Sequence, residues 1–130
     1  MKHAELTSRI IALCIKVHSE LGPGLLESVY EQAIAYELLK HDIGFKRQQG
    51  IEVMYDDVSM GIGFKADLII ENIVIVEIKS VDNVTPVFCK ILLTYLRLSQ
   101  IEVGLLINFN VLVLRDGITR LVLDKRRKVT

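Results

Sequence analysis

The chain has 130 residues, with 16 basic and 16 acidic side chains that cancel to a formal net charge of zero. At 51% hydrophobic and 25% charged it lies within ordinary globular usage, which excludes disordered, collagen-like and low-complexity classes and suits one core. The longest strictly apolar runs, such as Val111-Leu112-Val113-Leu114, fall far short of the ~20 residues of a membrane helix, so the hydrophobicity belongs to an interior.

Leu6, Ile10, Leu13, Cys14, Val17 and Leu21 recur at three- and four-residue spacing and predict an amphipathic helix over about 4–21. Gly22-Pro23-Gly24 ends it, because Pro23 cannot extend the hydrogen-bond ladder. A second stripe, Leu26, Tyr30, Ala33, Ile34, Glu37 and Leu38, predicts a helix over about 24–41. From Phe45 the period falls to two and β-branched residues take over. Strands are expected at about 45–55, 60–71 and 73–80, with turns at Asp56-Asp57 and around Glu71-Asn72. A helix from about Pro86 to Ser99 should turn Val87, Ile91, Thr94, Tyr95 and Leu98 to one face. Strands at about 102–109 and 118–124 follow, with Asp116-Gly117 as a tight turn between Leu114 and Ile118. The order α-α-β-β-β-α-β-β, without linker or internal repeat, describes one mixed α/β (α+β) domain over residues 1–130.

Three polar residues interrupt the most apolar part of the chain: Asp67 within Phe64–Ile70, and Glu77 and Lys79 within Ile73–Ser80. The second segment reads as a central strand covered on both faces, on which Glu77 and Lys79 share a side, about 6–7 Å apart. Burying an unpaired charge costs several kcal/mol, so these groups need partners, either an ion pair within the sheet or a metal. Mg²⁺ favours one or two carboxylates supplemented by water and phosphate oxygens, which makes Asp67 and Glu77 candidate ligands. Lys79 would then orient water or stabilise an oxyanion as a compact point charge.

Side-chain alternation sets a condition on that site. A two-residue Glu71-Asn72 turn pairs Ile70 with Ile73 and sends the two acids to opposite faces. A three-residue loop, Glu71-Asn72-Ile73, pairs Ile70 with Val74 and sets Asp67 opposite Glu77. The metal site therefore requires an odd-length loop or a bulge. Glu27, at the margin of the buried stripe of the second helix, reads from its local context as an N-terminal acid favoured by the helix dipole.

Gly24-Leu25-Leu26-Glu27-Ser28-Val29-Tyr30 matches the pattern G-x-x-E-x-x-Y, and the chain resembles the small bacterial GxxExxY proteins of the PD-(D/E)XK nuclease superfamily. The similarity runs from about Ile10 to Val122, through Ala66-Asp67-Leu68, Val76-Glu77-Ile78-Lys79, Leu92-Leu93-Thr94-Tyr95-Leu96 and Gly104–Asn110. The resemblance implies a restriction-endonuclease-like α-β-β-β-α-β core and a nuclease that hydrolyses phosphodiester bonds, in DNA ahead of RNA, with Mg²⁺ or Mn²⁺. It implies Asp67, Glu77, Ile78 and Glu27 at the metal and Lys79 as the catalytic lysine. Where relatives tend to carry His and Gln on the helix after the third strand, this chain has Phe88 and Ile91. That departure supports an alternative, a nuclease-like module that binds nucleic acid or a protein partner without turnover.

Five further residues have both a site role and an ordinary one. His18 is a base or phosphate contact, or a partner of the helix dipole. Tyr30 and Tyr95 either reach the site through their hydroxyls or are core residues with satisfied polar tips. Lys65, two before Asp67, and Lys90 either contact phosphate or are solvated. Neutrality itself is composite: Lys125, Arg126, Arg127 and Lys128 leave 12 basic and 16 acidic residues in 1–124, a net of −4. A duplex-DNA reader ordinarily shows a basic excess. The acids of this chain must either exclude nucleic acid or gather where a cation offsets them. Cys14 and Cys89 form no C-x-x-C, and Met1-Lys2-His3-Ala4-Glu5 carries no signal-peptide apolar segment, so a cytoplasmic chain with reduced thiols is expected. A homodimer is compatible with one site per chain and two cuts per duplex, though nothing in the sequence requires it.

Overall fold

The apolar recurrence of the first segment produces α1, Ala4–Leu21, which buries Ile10, Leu13, Cys14 and Val17. The computed structural model describes residues 3–124, so the basic tail at 125–130 lies outside the described residues. Gly22 stops α1 with φ 75° while its N–H bonds back to His18 O. α2, Glu27–Lys40, begins three residues later than the stripe predicts, because Gly24 takes φ 96° and Leu26 is extended. Glu27 is thereby the first helical residue, and Leu26 is left exposed. Lys16 Nζ lies 2.9 Å from Glu37 Oε1 and ties α1 to α2.

β1 (Phe45–Tyr55) and β2 (Val58–Ile70) form a long antiparallel hairpin closed by Asp56-Asp57, both at positive φ as a two-residue primed turn requires. β3 (Val74–Lys79) is antiparallel to β2. α3 (Pro86–Ser99) crosses over to β4 (Val103–Asn108), which runs parallel to β3, and β5 (Ile118–Val122) is antiparallel to β4. The result is a five-stranded mixed sheet in the order β1-β2-β3-β4-β5. The element order and the α+β class are those expected from the sequence.

Side-chain alternation splits the interior in two. Val74, Val76 and Ile78 join Leu105 and Ile107 under α1 and α2, whereas Ile75 and Leu106 join Leu92 and Leu96 of α3. Both central strands are covered on both faces, and every residue of β4 is buried.

Two local expectations are corrected. The buried line of α3 is Leu92 and Leu96, while Val87 and Ile91 are exposed. Apolar residues occupy nearly the whole circumference here, so periodicity alone does not select a side. Gly104 selects it, because a Cβ there would stand 3.0 Å from Leu92 Cδ2, which marks the closest approach of helix to sheet. Asp116-Gly117 is the end of a single 3₁₀ turn, Leu114–Gly117, rather than a two-residue hairpin turn.

The β2–β3 connection satisfies the parity condition. Ile70 pairs with Val74, Ile69 with Ile75 and Leu68 with Val76, leaving Glu71-Asn72-Ile73 as a three-residue loop. Glu71 and Asn72 adopt φ 52° and 56°, and Ile73 N–H donates to Ile70 O at 2.9 Å. The same register, carried one step further, sets Asp67 against Glu77.

Candidate active site

The main-chain ladder between β2 and β3 ends at Leu68 and Val76, and a side chain continues it. Asp67 Oδ2 accepts the Ile78 N–H at 2.9 Å. Within one strand residue the C=O points to the same edge as the N–H, so the Ile78 carbonyl is directed toward Asp67, past the last rung. The Ile78 side chain is buried in the α1/α2 core, so only its main chain can serve the site.

Glu77 is 7% exposed, and its Oε1 has no hydrogen-bond partner. Burial, and then the Asp67 carboxylate beside it, push its pKa up to about 9, with Lys79 opposing weakly. Two adjacent carboxylates, one of them buried with an unsatisfied oxygen, fit a hard divalent cation: it supplies the missing partner and cancels the repulsion. Among the described residues no group of three or more His, Cys, Asp or Glu side chains stands ready to hold a metal ion.

Lys79 is half-buried and shares the α3 side of β3 with Glu77. Its Nζ sits 5.0 Å from the centroid of the Phe88 ring, a cation–π contact. Glu77 and Lys79 open onto a cleft of about 90 Å³ whose far wall is Phe88, Ile91 and Tyr95 of α3. The Tyr95 ring stacks on Phe64 at 3.9 Å. Its hydroxyl pKa is raised by burial first and then by the charges of Glu77 and Asp67.

The fold agrees with the family comparison. The family model of the PD-(D/E)XK nuclease superfamily matches residues 4–121. The chain belongs to the PD-(D/E)XK nuclease superfamily. Comparison with curated proteins and with solved structures finds no match.

In this superfamily member Glu27 approaches β3 from α2, but at its end. Its Oε2 accepts the Ser80 N–H at 3.1 Å, one residue past Lys79, while Ser80 Oγ donates to Leu25 O at 2.8 Å. The next residue is held from β4: Asn108, 3% exposed, accepts the Val81 N–H at 3.1 Å and donates to Val81 O at 2.9 Å. Asn108→Ala should leave both groups of Val81 unpaired and cost about 2–3 kcal/mol, measurable by urea unfolding.

The remaining residues singled out from the sequence lie elsewhere. His18 is buried against Phe109, with Nε2 2.9 Å from Val111 O, and faces a larger cleft of about 530 Å³ beside α1. That cleft has no acidic lining residue. Tyr30 is fully buried, stacks on Phe109 at 4.4 Å, donates to Gly22 O at 2.6 Å and accepts the Leu25 N–H. Its hydroxyl therefore shapes the α1–α2 connection and leaves Glu27 and Lys79 to other contacts. Lys65 and Lys90 are exposed.

The sequence pattern passed over the other neighbours of Asp67. Gln48 Nε2 donates to Asp67 Oδ1 at 3.1 Å and to Glu31 Oε1 at 2.6 Å. Glu31, 6% exposed, receives Arg47 Nε and Nη2 at 3.0 and 2.9 Å. The nearest signal in the sequence is Glu31 itself, an acid one position beyond Tyr30 that shares its helix face with the apolar Ile34 and Ala35 three and four residues on.

Proposed function

We propose that this chain hydrolyses phosphodiester bonds of nucleic acid, DNA ahead of RNA, with Mg²⁺ or Mn²⁺ held by Asp67, Glu77 and the main-chain carbonyl of Ile78. The observation that carries this reading is the buried, partnerless Oε1 of Glu77 beside the Asp67 carboxylate. Glu27 contributes from the end of β3, completing the shell or orienting it. When bound, the metal lowers the pKa of a water and offsets charge on the phosphorus oxygens. Asp67 holds Ile78, and with it the β3 segment that carries both Glu77 and Lys79. The Lys79 ammonium, released from Phe88, orients the attacking water or offsets charge on the transition-state oxygen. Phe88, Ile91 and Tyr95 shield the cleft from bulk water. The G-x-x-E-x-x-Y match at Gly24–Tyr30 is our reason for placing the chain among the GxxExxY proteins. Action in the cytoplasm as a homodimer, one cut per protomer, is part of the same proposal.

The test is a divalent-metal titration against single- and double-stranded DNA and RNA. Wild type should cleave only with Mg²⁺ or Mn²⁺, and Lys79→Ala should be at least about 100-fold slower. Absence of cleavage at every metal concentration would overturn the proposal.

One contact favours a second reading. Lys79 rests on Phe88, with Ile91 next to it, where relatives carry polar groups, and this suits a module that binds nucleic acid or a protein partner without cutting. Nucleic-acid binding that persists in Asp67→Ala without divalent metal, in a protein that never cleaves, would favour it.

A further inference from the structure

The geometry points to Gln48 as a positioning residue that fixes the Asp67 carboxylate for a divalent cation and is itself anchored by the buried Glu31. This inference rests on the metal-dependent reading above. Arg47 pairs with Leu68 and Gln49 with Ala66, but between them Gln48 and Asp67 form no rung. There Gln48 adopts φ 49°, a left-handed conformation disfavoured for any residue with a Cβ and foreign to a strand. Strain of this kind persists only where surrounding contacts hold it.

The contacts that hold it are specific. Gln48 Nε2 has two protons, and it lies 2.6 Å from Glu31 Oε1 and 3.1 Å from Asp67 Oδ1. Both acceptors are carboxylate oxygens, so the amino end of the amide must face them. Asp67 is then gripped at both oxygens, Oδ1 by Gln48 and Oδ2 by the Ile78 N–H at 2.9 Å, and the plane of its carboxylate is set relative to Glu77. Each oxygen keeps a lone pair for a cation.

The charges are arranged to the same end. The guanidinium of Arg47 neutralises Glu31 at 2.9–3.0 Å, and from β1 it is the neutral amide of Gln48 that reaches Asp67. An arginine placed directly on Asp67 would compete with a metal ion for the same charge, whereas the amide orients the carboxylate and leaves its charge available. Glu31 on α2, Gln48 on β1 and Asp67 on β2 thus form a relay from helix to metal ligand.

The experiment measures Mn²⁺ binding, by the electron paramagnetic resonance signal of free Mn²⁺, for wild type, Asp67→Ala, Gln48→Ala and Gln48→Gly. It is paired with the Tm of each metal-free protein. Glycine accepts the left-handed backbone, which offsets the lost hydrogen bonds to Glu31 and Asp67, so Gln48→Gly should stay folded and melt above Gln48→Ala while losing the relay. The expected result is an Mn²⁺ Kd raised about 10- to 100-fold in both Gln48 variants. A Kd for Gln48→Gly within about threefold of wild type, with Asp67→Ala not binding, would overturn the relay and leave the metal site standing. Absence of Mn²⁺ binding in wild type would overturn the metal reading, and the relay with it.

Discussion

Asp67→Ala is expected to abolish metal-dependent phosphodiester hydrolysis, with kcat reduced at least ~10³-fold, while the protein stays folded. The size of the loss follows from what a bound divalent cation supplies, several kcal/mol at about 1.4 kcal/mol per decade of rate. Folding should survive because two consequences oppose each other. The substitution leaves the Ile78 N–H without the acceptor it has at 2.9 Å, which costs about 1–3 kcal/mol. It also removes a carboxylate from beside Glu77, one of the causes of that residue's raised pKa. Asp67→Asn is the harsher probe of geometry. Its amide would turn a donor toward either Ile78 N–H or Gln48 Nε2, both of which are donors themselves. Single-turnover cleavage with Mn²⁺ checks the prediction, and Asp67→Ala retaining more than about a tenth of the wild-type rate would remove Asp67 from the site.

The second large effect concerns pH. Metal-free protein should lose stability as pH rises from 6 to 8, and Glu77→Gln should abolish most of that loss. The unfolded carboxyl, with a pKa near 4.5, has released its proton by pH 6, whereas the folded one keeps it until about 9. The native state therefore binds more protons in this window, and stability must fall as pH rises. The contribution is fully present below about 4.5 and is lost progressively toward 9. At about 1.4 kcal/mol per pH unit, the loss between pH 6 and 8 reaches ~3 kcal/mol. Urea unfolding with chelator at several pH values measures it. Equal slopes in wild type and Glu77→Gln would show that burial is not storing a proton there. Saturating Mn²⁺ should reverse the trend, since cation and proton compete for the same oxygens.

Much of this was legible in the sequence, for reasons that particular residues make plain. α1 is readable because its apolar stripe is flanked by polar residues and stopped by Gly22-Pro23. The pairing of Asp67 with Glu77 reduces to which residues of Glu71-Asn72-Ile73 form the loop, since alternation has only two outcomes. The orientation of α3 could not be read, because Val87, Phe88, Cys89, Ile91, Leu92 and Leu93 present apolar groups in nearly every direction. The contact of Leu92 with the bare backbone of Gly104 decides between them, and that is a tertiary fact. The Glu31–Gln48–Asp67 relay was invisible for a different reason. Its members lie 17 and 19 residues apart, and the middle one owes its reach to a backbone angle that no propensity for glutamine anticipates.

The loop closed by the left-handed pair Glu71-Asn72 holds the register that decides which chemistry each face of the sheet carries. A slip of one residue in the pairing, setting Ile70 against Ile73 in place of Val74, would keep both strands yet turn Glu77 and Lys79 to the face beneath α1 and α2, beside Leu105 and Ile107, while Val76 and Ile78 moved to the α3 side. The site therefore depends on the register and not on the number of residues in the loop: any change in length that keeps Ile70 opposite Val74 leaves both faces as they are. A series of glycine insertions at Asn72, scored for folding, should show a gradual loss of stability with loop length, and an alternation between intact and collapsed protein would show that loop length dictates the register.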